Sequence, residues 1–72
     1  MDRKSIIDLI ESIASSIDGK NRFVDSMAGD ANNYCFVLKD HDGMKTYVTI
    51  PKKSFEAIHE IRPIISSALK GA

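Results

Sequence analysis

The sequence predicts an α+β fold with the element order α-β-β-β-α, in which a small antiparallel sheet carries two helices packed on one face. Two observations predict this order. Isoleucines recur at helical spacing near both ends of the chain, and between them apolar and polar residues alternate on either side of a tight turn. The 72 residues suffice for one domain spanning 1–72 with a small core.

The first helix is predicted over residues 3–17. Ser5 and Asp8 resemble a capping box at its start, and Asp2 is an alternative cap one turn earlier. Asp18 and Gly19 supply the end, because glycine adopts the left-handed conformation without a Cβ clash. The apolar stripe of this helix consists of Ile6, Leu9, Ile10, Ile13, Ala14 and Ile17.

Residues 22–27 are predicted to form a short strand, followed by a polar loop over 28–33. A β-hairpin follows with strands at 34–39 and 44–50, joined through Asp42-Gly43, a dipeptide typical of tight hairpin turns. Side chains alternate across a strand, so the hairpin has two distinct faces. The more apolar face, expected to pack on the helices, presents Tyr34, Phe36, Leu38, Thr46, Val48 and Ile50.

A long amphipathic helix is predicted from Pro51 to Leu69, with a kink near residues 59–63 because Pro63 lacks an amide donor. The alternative is that Arg62-Pro63 begins a second helix. Phe55 opens the apolar stripe, so we expect it to be a core anchor facing Phe36. The stripe consists of Phe55, Ile58, Ile61, Ile65, Ala68 and Leu69.

The charge balance argues against dense electrostatic binding to DNA, since ten basic residues match ten acidic ones. The basic residues are concentrated in residues 39–53, where four lysines meet two aspartates. One cysteine excludes an internal disulfide, no apolar run approaches the roughly 20 residues of a membrane span, and the first residues do not resemble a signal peptide. We therefore expect a cytoplasmic protein without a membrane role.

The second hairpin face presents Cys35, Val37, Lys39, Lys45, Tyr47 and Thr49. Bases stack on an exposed tyrosine and phosphates pair with lysines, so Lys39, Lys45 and Tyr47 are candidate nucleic-acid-binding residues. Lys52 and Lys53 follow at the predicted start of the last helix, where free amides and the helix dipole favour an anion. The alternative is a solvated face in which Tyr47 covers Val37, with two solvated lysines beyond it.

No residue set indicates catalysis, and we expect no cofactor and no metal. Cys35 has no histidine near it in sequence to act as a base. Asp40, His41 and Asp42 cluster at the hairpin tip, but turns favour aspartate for backbone hydrogen bonding. The remaining charged cluster, expected to be solvated, consists of Glu56, His59 and Glu60.

Residues 44–70 resemble the end of the positive-cofactor-four coactivator domain, and Pur-type and whirly domains share a similar strand-to-helix ending. The resemblance lies in a strand ending at Ile50, an aromatic at Phe55 and a proline at Pro63. It implies a dimer that binds single-stranded nucleic acid on its sheets. The chain differs from that family in its first helix, its three strands and its neutral charge. The element order is also that of double-stranded-RNA-binding domains, which carry lysines where this chain has Lys52 and Lys53.

We therefore expect a small, non-enzymatic, dimeric nucleic-acid-binding protein with a role in transcription regulation, favouring single strands. The rival hypothesis is a protein-binding inhibitor or adaptor that uses the same hairpin face or a sheet edge. Neutral charge favours the rival, whereas the first hypothesis is favoured by the set Lys39, Lys45, Tyr47, Lys52 and Lys53.

Overall fold

A computed structural model describes residues 2–71, so the predicted domain of 1–72 is covered except for its two terminal residues. The predicted order α-β-β-β-α is confirmed. The elements are helix α1 (Arg3–Asp18), strands β1 (Arg22–Gly29), β2 (Asn33–Asp40) and β3 (Lys45–Pro51), two short 3-10 helices (Lys52–Glu56 and Ile58–Glu60) and helix α2 (Ile61–Lys70).

Local signals define both ends of α1. The amide of Ser5 donates a 2.8 Å hydrogen bond to Oδ1 of Asp2, so the N-cap is the alternative, Asp2, and the predicted capping box of Ser5 with Asp8 is not formed. This backbone hydrogen bond lowers the pKa of the Asp2 carboxyl. At the other end Gly19 has φ 75°, the left-handed conformation expected after the last turn.

The three strands form one antiparallel sheet in the order β1-β2-β3. Strand β1 extends to Gly29, two residues beyond the predicted end at Met27. The pairing of β1 with β2 shifts by one residue between Val24 and Ser26, so Asp25 lies in a β-bulge. The β2–β3 pairing has no such shift, because the short Asp-Gly turn keeps the hairpin in one register.

Helices α1 and α2 lie side by side on one face of the sheet, with α1 against β1 and α2 against β3. We call the covered side the inner face and the opposite side the outer face. The predicted assignment of the hairpin faces is confirmed, because the buried core takes its sheet residues from the more apolar set. The core consists of Ile6, Ile10, Ala14, Phe36, Leu38, Val48, Ile50, Ile61 and Ile65.

The predicted continuous helix from Pro51 to Leu69 is wrong. After β3 the chain forms two 3-10 helices separated by Ala57, whose φ of −135° and ψ of 79° interrupt helical geometry. Helix α2 begins only at Ile61, and Pro63 therefore lies in its first turn. A proline is tolerated there because the first amides of a helix have no intrahelical partner. The alternative, a second helix beginning near Arg62-Pro63, is the one observed.

Phe55 lies at the margin of the core rather than inside it, which corrects the predicted buried anchor. The ring is partly buried and packs edge-on against Tyr34, with centroids 5.5 Å apart and an interplanar angle of 89°. Tyr34 in turn lies beside the buried Phe36 at 6.2 Å. Phe55 therefore reaches the Phe36 side of the sheet through an aromatic neighbour.

Candidate nucleic-acid interface

No element within residues 2–71 covers the outer face of the sheet, since both helices lie on the inner face. Strand register arranges the outer side chains in three rows that cross the sheet from β1 to β3. The rows are Phe23, Lys39 and Lys45; Ser26, Val37 and Tyr47; and Ala28, Cys35 and Thr49. The surface formed by these nine residues is called the outer-face surface below.

Tyr47 dominates the middle row. Its side chain is 73% exposed although it lies on a regular strand, opposite the half-buried Val37 of β2. Tyr47 and Val37 are therefore cross-strand neighbours, as expected, and the phenol ring of Tyr47 remains accessible to solvent. An aromatic ring on an uncovered sheet can stack with a planar partner, and such stacking is worth about 1–3 kcal/mol per base.

Lys39 and Lys45 face one another directly across β2 and β3. Like charges at such close range repel unless a counter-charge intervenes. Asp25 supplies it: its Oδ2 lies 3.7 Å from Nζ of Lys45, and the two side chains remain 36% and 48% exposed. The outer-face surface and Asp25 together carry a net charge of +1, from two lysines and one aspartate.

Sequence reasoning missed Asp25 and Phe23. Phe23 is 45% exposed and shares a row with Lys39, so the surface has a second accessible aromatic. Alternation along β1 would have placed Phe23 on this side had the register with β2 been known. No sequence signal indicated Asp25, because it reaches the surface through a bulge that interrupts the alternation.

Lys52 and Lys53 lie away from the other predicted residues. Strand β3 separates them from Lys45, and at about 3.3 Å per residue the distance along the strand from Lys45 to Lys52 is roughly 23 Å. Lys45 lies next to the hairpin turn, whereas Lys52 follows the opposite end of the strand and its amide bonds to the carbonyl of Asn32. The expected continuous basic edge is therefore two separate regions.

Lys52 and Lys53 do not lie at the start of an α-helix, so the predicted anion site has no α-helix dipole behind it. These lysines begin a five-residue 3-10 helix, which is too short to carry the dipole of an α-helix. Nζ of Lys52 lies 4.9 Å from the ring centroid of Tyr34, so this ammonium already has a cation–π partner. Lys53 is exposed beside a shallow depression that Asn32 and Asn33 line.

The other candidate residues have local partners. Oδ1 of Asp40 accepts hydrogen bonds from the amides of Asp42 and Met44, so this carboxylate stabilises the turn. Sγ of the exposed Cys35 lies 3.6 Å from Oγ1 of Thr49. Residues 2–71 contain no group of three or more histidine, cysteine, aspartate or glutamate side chains placed to hold a metal ion.

Comparison of the chain with protein-family models, with curated proteins and with solved structures finds no significant match. The resemblance of residues 44–70 to the positive-cofactor-four domain therefore stays a prediction. In the described part of the chain no helix has the length and apolar character needed to cross a bilayer.

Proposed function

We propose that this chain is a small, non-enzymatic, cytoplasmic protein that binds single-stranded nucleic acid on its outer-face surface and acts in regulation, including that of transcription. The observation that supports it most is the exposure of Tyr47 in the middle row of a sheet face that neither helix covers. A base-stacking platform requires an aromatic ring that is accessible in this way.

The distribution of charge around the ring supports a nucleic-acid ligand. Lys39 and Lys45 lie together in the row next to Tyr47, so a phosphate on that side of a stacked base would meet ammonium groups. Each phosphate neutralised on a single strand contributes about −0.7 to the slope of log K against log salt. With two lysines, one of them shared with Asp25, the slope should be no steeper than about −1.4.

The geometry favours single strands over duplexes. In a duplex the faces of the bases are stacked on one another and cannot reach an aromatic side chain. Tyr47 and Phe23 lie on opposite edge strands of the same face, so they are separated by β2 and offer two contacts to a flexible strand. An unpaired strand can place bases on both rings without opening a helix.

A protein partner is the second candidate, and the Asp25–Lys45 pair favours it. Together with Val37 and Phe23, this pair makes the surface a mixture of apolar area and both signs of charge. Such a mixture resembles a protein-binding surface, in which aromatic side chains dominate the binding energy. Affinity for a protein would be less dependent on salt than phosphate binding is.

The test uses tyrosine fluorescence, because the chain has two tyrosines and no tryptophan. In a Tyr34→Phe variant, Tyr47 is the sole fluorophore and the aromatic contact to Phe55 is retained. Titration with a short oligothymidylate should quench this emission, and the affinity should fall with rising salt. Tyr47→Ala, measured by anisotropy of the labelled oligonucleotide, should weaken binding by about 1–3 kcal/mol.

Ile58→Ala is the matched control, because Ile58 is also exposed, at 46%, but follows β3 in the segment leading to α2. It should leave the affinity unchanged. Absence of salt-dependent binding in the wild-type chain would reject the nucleic-acid proposal. If the chain instead captures a protein partner and Tyr47→Ala abolishes that capture, the protein-binding candidate is supported.

A further inference from the structure

The two edges of the sheet differ in whether side chains hydrogen-bond to their outward backbone groups. Along β1, the outward backbone groups are occupied by side chains of α1. Oγ of Ser15 accepts from the amide of Arg22 at 3.0 Å and donates to its carbonyl at 3.2 Å. A carboxylate oxygen of Glu11 accepts from the amide of Val24 at 2.8 Å. Unpaired edge groups are a template for adding another strand, and here α1 removes that template.

The bulge at Asp25 adds to the protection of the β1 edge. A bulge leaves a residue out of the ladder and increases the local twist, so a second strand cannot continue the pairing across it. Past the bulge, Nη2 of Arg3 lies 3.5 Å from the carbonyl of Met27. Side chains therefore contact the outward backbone groups of β1 both before and after the bulge.

Strand β3 forms the other edge, and the pattern of its hydrogen bonds shows which backbone groups point outward. The amide of Lys52 donates to the carbonyl of Asn32, and the amide of Asp40 donates to that of Met44. In an antiparallel ladder, hydrogen-bonded pairs alternate with non-bonded ones, so the even-numbered residues of β3 point toward β2. The N–H and C=O groups that point outward belong to Lys45, Tyr47 and Thr49.

No side chain in residues 2–71 hydrogen-bonds to these outward groups, in contrast to β1. A lysine on an edge often prevents pairing, but here the ammonium of Lys45 reaches back across the outer face toward Asp25. Pro51 has no N–H, so the usable edge ends before it. The β3 edge is thus a straight stretch of three outward residues in an uninterrupted register with β2.

We propose that a second copy of this chain pairs antiparallel with the β3 edge, in the register that places Tyr47 opposite Tyr47 of the second copy. This two-fold register uses all three outward residues, because Lys45 then lies opposite Thr49 of the second copy and Thr49 opposite its Lys45. No like charges meet directly in it. Because the chain has net charge zero, two copies approach without long-range repulsion.

The surroundings of the edge suit a second copy. Beneath it, a shallow depression is lined by Lys45, Thr46 and Tyr47 of β3 and, at the end of α2, by Ser67, Ala68 and Gly71, so the residues that the helix end contributes there are small. Pairing joins two three-stranded sheets into one of six strands whose outer faces are continuous. The interface is isologous, as expected of a two-fold dimer, because both copies contribute the same backbone groups.

The dimer is inferred from the backbone of β3 alone, whereas its effect on nucleic-acid binding rests on the proposed function. Two Tyr47 rings would lie side by side on the joined outer face, about 5.5 Å apart at their Cα atoms. A single strand crossing the junction could then stack on both. The dimer is tested without nucleic acid, so its failure and the failure of the proposed function are distinguishable.

The test is a pair of charge substitutions at Thr49 followed by sedimentation equilibrium over a range of protein concentrations. Thr49→Glu puts a carboxylate opposite Lys45 of the second copy, and this happens twice by symmetry, so the dimer dissociation constant should fall about 2- to 30-fold. Thr49→Lys puts two lysines opposite one another and should raise the constant by a similar factor. The double variant Lys45→Glu with Thr49→Lys should restore dimerisation.

Ala28→Glu and Ala28→Lys are matched controls, since Ala28 is exposed in the same row as Thr49 but on β1. They should leave the dissociation constant unchanged. A wild-type chain that remains at 8.0 kDa at high micromolar concentration would overturn the proposal. A dimer that responds equally to charge at Ala28 and at Thr49, or not at all, would also overturn it, because its interface would then lie elsewhere.

Discussion

A carboxylate oxygen of Glu11 on α1 accepts a 2.8 Å hydrogen bond from the backbone amide of Val24 on β1. The bond crosses from the helix layer to the edge of the sheet and joins residues that are 13 positions apart. It satisfies an amide that would otherwise be a donor on an open edge, and it orients α1 over β1.

Glu11→Ala should destabilise the fold by about 1–3 kcal/mol, because it leaves the partly buried amide of Val24 without an acceptor. Glu11→Gln should cost less, since the amide oxygen can still accept. Chemical denaturation measures both values, and Glu56→Ala, at an exposed glutamate, is the control. Equal stability of the alanine variant and the wild type would show that water replaces the carboxylate.

The salt bridge between Asp18 and Arg22 should make stability depend on pH in the acid range. The guanidinium donates to both carboxylate oxygens, at 2.6 and 2.9 Å, and these hydrogen bonds lower the pKa of Asp18 from 3.8 to about 2. Because the folded pKa is lower than the unfolded one, the stabilisation is present above pH 3.8 and is lost as the pH falls toward 2.

Thermal melting between pH 5 and pH 2 should therefore show a difference between wild type and Asp18→Asn that narrows as the pH falls. Asp8→Asn is the control, because Asp8 is exposed and its ion pair with Lys4 has a separation of 3.8 Å. At neutral pH, Asp8→Asn should reduce the melting temperature less than Asp18→Asn does. A difference at Asp18 that is constant with pH would contradict the assigned pKa.

Phe55→Ala should cost about 1–3 kcal/mol, less than the loss expected for a fully buried ring, because Phe55 is only partly buried and its main aromatic contact is Tyr34. Phe36→Ala should cost about 3–5 kcal/mol, since Phe36 is 1% exposed. Denaturant midpoints of the two variants give the comparison. The reverse order of destabilisation would mean that Phe55 and not Phe36 anchors the core.

Lys39→Ala should reduce the salt slope of oligonucleotide binding by about 0.7 and weaken binding alike for all sequences. Lys39 shares a row with Phe23 and Lys45, so its charge acts beside the stacking rings. Lys4→Ala on α1 removes an equal charge from a helix on the other side of the sheet and should have little effect. Anisotropy titrations at several salt concentrations measure the slopes, and equal slopes for both variants would place the binding surface elsewhere.

Much of the fold was accessible from the sequence because its signals are local. The left-handed Gly19 and the alternation in residues 34–50 each depend on a few neighbouring residues, whereas the sequence left the N-cap of α1 open between Ser5 and Asp2. The two hairpin faces differ enough in apolarity that only one register buries a continuous core. Consequently the exposure of Tyr47 also followed from the sequence.

The course of the chain after β3 was not accessible in the same way. Isoleucine spacing after Pro51 is compatible with one long helix. In the structure, however, two 3-10 helices precede α2. Phe55, in the first of them, packs on Tyr34, and Pro63 lies in the first turn of α2. The spacing of apolar residues indicates which side chains will be buried, but not how the segment that carries them packs on the sheet. The separation of Lys52 and Lys53 from Lys45 has another cause, the length of β3 itself.

The sequence by itself determined the order of elements, the end of α1 at Gly19 and the two faces of the hairpin, because these depend on residues close together in the chain. Only the tertiary structure decided that Asp25 pairs with Lys45 through a bulge and that α1 closes the β1 edge while the β3 edge stays open. The reason is that strand register and helix docking are set by contacts between distant residues, whose free energies no local pattern contains.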